Sequence, residues 1–191
     1  MTRRLLRRLG RERGYSLVEM LIVMSILGVV MGSLTTVFVQ ASNAEFDMNA
    51  RFQAQLTGRL ALDKMRREVH CASVATPTGS SSSVTLTLPS YCKTGTGSIT
   101  WCTRSVATNR YALYRVVGST CTGGVKWADF LAPTSSATVC SGALCIFNYT
   151  AQSTTSLADL KVDLPVNIRP AKSVELYELI DDVVLRNSTR S

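Results

Sequence analysis

The chain has 191 residues, of which 46% are hydrophobic and 18% charged, with a formal net charge of +8; once a leader and a span are set aside, about 150 residues remain, one domain of common size. The positive charge is concentrated rather than spread: Arg3, Arg4, Arg7, Arg8, Arg11 and Arg13 against Glu12 leave +5 in the first 14 residues and only +3 in all the rest, which argues against a specific nucleic-acid surface. With one histidine, His70, and no C-x-x-C, a zinc site, thiol-redox chemistry or a nucleophile–base pair has little to build on, so no cofactor, no metal and no enzyme are expected.

After the basic leader comes an apolar run. Between Leu17 and Val39 the only charged residue is Glu19, and at ~1.5 Å per residue a helix of that length covers about 35 Å, enough to cross a ~30 Å hydrocarbon core. Arginines beside a span stay cytoplasmic, so the N-terminus is expected inside and everything beyond the span outside. A carboxylate in lipid costs several kcal/mol and by default marks a function with a partner. Gly28 and Gly32 form a G-x-x-x-G that lets two helix backbones approach closely.

The order of these features carries a resemblance. An Arg-rich leader, Gly14, the aromatic Tyr15 and then Ser16-Leu17-Val18-Glu19-Met20-Leu21 resembles the class III signal of type IV pilins and of the pseudopilins of secretion and DNA-uptake machines. The resemblance implies cleavage between Gly14 and Tyr15 by a prepilin peptidase, N-methylation of Tyr15, and a guiding role for Glu19 in subunit addition. It further implies other pilin or pseudopilin subunits, an inner-membrane assembly platform and membrane lipid as partners, and a single-pass location that ends in an extracytoplasmic filament. The larger fibre-forming members carry a proline in this helix, whereas here the first proline is Pro77. A competing reading is an exported or anchored binding protein, an adhesin, with conventional cleavage at Val39-Gln40-Ala41.

From 41 to 72 the pattern predicts an amphipathic continuation, so residues from Tyr15 onward form one long rod, with 15–40 in membrane or filament core. Met48, Phe52, Leu56 and Leu60 follow at four-residue steps, after which the apolar positions move round to Leu62, Met65 and Val69. Asp63 with Arg67 and Lys64 with Glu68 are i,i+4 pairs, read as solvated helix faces. The run from Phe52 to Cys71 resembles J-type minor pseudopilins and related minor pilins.

Residues 73–191 change character. Thr76-Pro77-Thr78-Gly79 and the serines at 80–83 break the helix, and candidate strands follow at 84–88, 98–104, 110–117, 125–130, 145–150, 160–168 and 176–186. No helix-length connection remains for parallel crossovers, so the expectation is an α+β fold: a long N-terminal helix packed on an antiparallel β-sheet domain. The Ser/Thr-rich pieces near 80, 134 and 152 read as exposed loops.

Six cysteines lie beyond the span, and an even number on the exported side argues for up to three disulfides. Cys140 and Cys145 would close a small ring. Turn geometry suggests Cys92 opposite Cys102, leaving Cys71 for Cys121, a loop of ~50 residues whose closure would stabilise by about 4 kcal/mol in the chain-entropy model.

Overall fold

A computed structural model describes residues 15–170 and 176–188. An α-helix, α1, runs Leu17–Cys71; the chain divides into one unit ending at Asp47 and a second beginning at Met48. In the first unit every large apolar side chain from Leu17 to Val39 is exposed, because the helix is apolar all round and has nothing in its own unit to pack against.

In the second unit α1 packs on the sheet with a different face. Ala54, Gly58, Ala61, Leu62, Met65, Glu68 and Val69 are buried, while Met48, Phe52, Leu56 and Leu60 point to solvent. Small residues at the upper turns permit a close approach: a Cβ on Gly58 would meet Leu179 Cδ1 at 3.1 Å. Larger ones further along, Leu62, Met65 and Val69, belong to the same buried core as Leu86, Ile99, Leu113 and Leu160. The helix stops at Cys71, where Asn187 Nδ2 donates to the Cys71 carbonyl at 3.0 Å, satisfying one of the acceptors that a helix C-terminus leaves open. The Ser73 amide has already turned to the Thr87 carbonyl.

The strands among the described residues are β1 (Val74–Thr76), β2 (Gly79–Ser81), β3 (Ser83–Leu88), β4 (Gly97–Ala107), β5 (Arg110–Val117), β6 (Val125–Leu131), β7 (Val139–Cys140), β8 (Ala143–Leu144), β9 (Phe147–Thr150), β10 (Asp159–Val166) and β11 (Tyr177–Val184). The main sheet follows the order β1-β3-β4-β5-β6-β10-β9-β2, with β11 beside β10, and β7 pairs with β8. Every strand pairing among the described residues is antiparallel, as expected. The two ends of the path, β1 and β2, are separated in sequence only by Pro77 and Thr78, so the sheet curls until its edges adjoin. Segment 76–83, expected as a plain break, therefore contributes to the strands at both ends of this path, while β11, paired only with β10, forms a further edge. Between β5 and β6 the turn closes tightly: Gly124 has φ +82°, and a Cβ there would lie 2.4 Å from the Arg115 carbonyl oxygen, so only glycine fits.

The disulfides are Cys71–Cys92, Cys102–Cys121 and Cys140–Cys145. The small ring is as expected, with Ser141 and Gly142 both at positive φ in the two-residue turn that joins β7 to β8. The other two pairings correct the sequence reading. In the β3–β4 hairpin Leu88 faces Gly97 and Ser83 faces Cys102, so Cys102 lies at the end remote from the turn that holds Cys92. Cys92 is left beside the end of α1, its Sγ 3.4 Å from the Cys71 carbonyl. Cys102, opposite Tyr114 on β5, meets Cys121 in the 118–124 loop.

Candidate functional site

The first candidate site is the N-terminal segment itself. Gly14 and the basic leader lie outside the described residues. Tyr15 is 77% exposed, and the Met20 amide donates to the Ser16 carbonyl at 3.2 Å as the helix begins. Glu19 stands in the first turn, where the positive end of the helix dipole favours a carboxylate. Among the described residues no cation pairs with it. Its charge has a favourable local field and an open partner position.

The rest of the segment is built to lose its water. Ser25 and Ser33 donate to the carbonyls of Ile22 and Val30, and Thr35 and Thr36 to those of Met31 and Ser33, all at 2.8 Å. Each hydroxyl is thus satisfied within its own helix, as an apolar medium demands. Gly28 and Gly32 have nothing within 4 Å of a notional Cβ and leave a notch one turn long. This stretch is the one helix among those described that is long and apolar enough to cross a membrane, and none of its apolar window is buried.

A second constellation escaped the sequence reading. Glu68 is fully buried, not on a solvated face. Its Oε2 accepts from Trp101 Nε1 at 2.8 Å, and its Oε1 accepts from Arg115 Nε at 2.9 Å and pairs with Arg115 Nη2 at 2.8 Å. Lys64 adds an ion pair at 3.3 Å. Asp63 pairs with Arg66 at 3.7 Å rather than with Arg67, and Arg66 turns to Asp181 at 2.8 Å. The legible signal was position: Glu68 falls on the face of Ala61 and Met65, one turn beyond, in the middle of an apolar stripe. Such a fully paired buried carboxylate holds helix to sheet; it is a fastening, not a reactive group. His70 is likewise occupied structurally, its Nδ1 3.0 Å from the Val184 carbonyl oxygen, and among the described residues no group of three or more metal-binding side chains occurs.

Residues 9–35 match the family model of the prokaryotic N-terminal methylation motif. No curated protein and no solved structure matches the chain. The matched stretch takes in Gly14, Tyr15, Glu19, Gly28 and Gly32; the motif is the class III prepilin signal of type IV pilins and pseudopilins, and the long N-terminal helix fits it.

Proposed function

We propose that the chain is a minor pilin or pseudopilin, a structural subunit of a membrane-rooted filament. The observation that carries this reading is the methylation motif at residues 9–35 leading directly into the apolar stretch from Leu17 to Val39, whose large apolar side chains are all exposed and whose only acid, Glu19, has no partner of its own among the described residues. On this reading prepilin peptidase cuts between Gly14 and Tyr15, Tyr15 becomes the methylated N-terminus, and its ammonium on one subunit meets Glu19 on the next. The subunit sits first in the cytoplasmic membrane, N-terminus inside, and is then drawn laterally into a helical bundle. Met48, Phe52, Leu56 and Leu60, exposed and apolar, extend the surface available to neighbouring helices. The motif also weighs against an enzyme.

The adhesin reading with a conventional signal fares worse. Cleavage at Ala41 would fall inside α1, whereas a peptidase binds its site as extended chain. N-terminal sequencing of the membrane-extracted protein tests both. Methyl-Tyr15 is the expected terminus, and Gly14→Val should leave the precursor uncut because a side chain obstructs the approach of the peptidase to the backbone. A terminus at Met1, Ser42 or Asn43, or a mature band from the Gly14→Val chain, overturns the proposal.

A further inference from the structure

On the face of β10 opposite Leu160, Val162 and Leu164 lies a pocket of about 200 Å³ lined by Ser80, Ser136, Asn148, Lys161, Asp163 and Ile180. Asp163 points to this face by strand alternation, yet it is only 7% exposed. The chain leading into β9 runs alongside, the Asp163 amide donating to the Ile146 carbonyl at 2.8 Å. Its carboxyl Oδ1 has no hydrogen-bond partner among the described residues. A buried acceptor without a donor costs free energy, and in a native protein it calls for an explanation.

The charges around it select the chemistry of an occupant. Lys161 stands two residues away on the same face and would repel a cation. Glu178, whose Oε1 accepts from Ser136 Oγ at 2.9 Å, joins Asp163 in repelling an anion. A neutral ligand rich in hydroxyl donors escapes both and supplies what Oδ1 lacks. Asn148 and Ser80 are exposed and offer donors and acceptors at the rim, while Ile180, 54% exposed, gives an apolar wall for C–H groups. The volume is below the ~300–1,000 Å³ of drug-sized sites, which limits the occupant to about one ring. We propose that this pocket binds a single neutral sugar residue, with Asp163 accepting from its hydroxyls and Asn148 and Lys161 donating to it. The assignment is independent of whether the chain enters a filament.

The test uses the full chain in nanodiscs, so that no sugar-headed detergent competes, with saturation-transfer NMR against a panel of neutral monosaccharides and binding of the same sugars as immobilised glycan termini. Saturable binding of at least one sugar is expected, weakened about tenfold or more in Asp163→Asn, the scale of one hydrogen bond to a charged group. Asn148→Tyr, at an exposed position of β9, should block the mouth without disturbing the carboxyl and so decides the matter whatever the first variant does to folding. Binding of free sugar points to a soluble ligand, and binding confined to immobilised glycans to a surface polymer. If no sugar in the panel binds, if Asn148→Tyr binds as the parent does, or if calcium or methylammonium occupies the pocket in place of sugar, the proposal is wrong.

Discussion

At the scale of single residues, three carboxylates show how environment decides what a charge does. Glu68 is buried but saturated by Trp101, Arg115 and Lys64. Truncating one member of such a group leaves the others buried and unpaired, which costs about 3–5 kcal/mol. Glu68→Ala should therefore lower the urea midpoint of the disulfide-intact chain steeply, and Glu68→Gln, which keeps the size and one acceptor, less so; an unchanged midpoint in the alanine variant would show that the network holds nothing. Asp163 is the reverse case. Burial first, then the nearby Glu178, push its carboxyl above the usual range, and Lys161 offsets this only in part. The folded state thus holds the proton more tightly than the unfolded chain, so this stabilisation is complete in acid below the unfolded value and is lost as pH rises through the raised folded value. Asp163→Asn should raise the unfolding temperature at neutral pH, by the equivalent of about 1 kcal/mol, with the gain shrinking in acid. A gain that persists undiminished below the ordinary carboxylate range would contradict this. Asp129 has the opposite sign: burial pushes it up, but Arg110, Lys126 and the Phe130 amide outweigh that and hold it below the usual range. Its contribution is present above the unfolded value and lost as pH falls through the lowered one. It also fixes Phe130 at φ 61°, accepting the Phe130 amide at 2.7 Å while the Arg110 guanidinium lies 3.9 Å over the phenyl ring.

At the scale of elements, the disulfides make the most direct prediction. Non-reducing peptide mapping should recover Cys71–Cys92, Cys102–Cys121 and Cys140–Cys145; a Cys92–Cys102 peptide in the native protein would mean that the β3–β4 register is wrong. In the chain-entropy model each of the two longer loops contributes about 3 kcal/mol and the small ring less. The misreading of these pairs shows where sequence reasoning stops. Strands such as 84–88 and 110–117 were legible because alternation and flanking turn residues are local signals. The partner of Cys92 was not, since it depends on the distance between a hairpin end and a helix end, and neither is written in the spacing of the cysteines. β1 and β2 were lost for a related reason. Their Thr, Pro, Gly and Ser composition reads as loop, and only pairing with β3 and β9 makes them strands. Glu68 was hidden because Lys64 at i−4 has the same spacing on a solvated face as on a buried one, and the residues that decide between them, Trp101 and Arg115, lie 33 and 47 positions further along. By contrast the segment 9–35, which matches the N-terminal methylation motif, is legible in the order of its residues without any fold.

At the scale of the whole molecule, the question is what the unit ending at Asp47 does with its exposed apolar surface and with the unpaired Glu19 at the start of the helix. Lipid covers the apolar surface but leaves Glu19 at a cost of several kcal/mol, whereas a neighbouring copy can supply both apolar cover and, once its leader is removed, an ammonium on Tyr15. On the proposed reading such a pair would favour the assembled state over the free subunit. At ~4 Å the attraction rises from ~1 kcal/mol in water to ~4 at an effective dielectric of 20, enough to bias docking without fixing it, since the exposed stripe of Met48, Phe52, Leu56 and Leu60 adds contacts that do not depend on charge. Glu19→Gln keeps the size and removes the charge. The variant should insert in the membrane and be cleaved as the parent is, yet crosslink to neighbouring subunits with a clearly reduced yield that is not abolished. The measurement is the ratio of crosslinked to free subunit at equal membrane levels. A ratio equal to the parent's would show that Glu19 is not the docking charge and that the helix serves as an anchor alone.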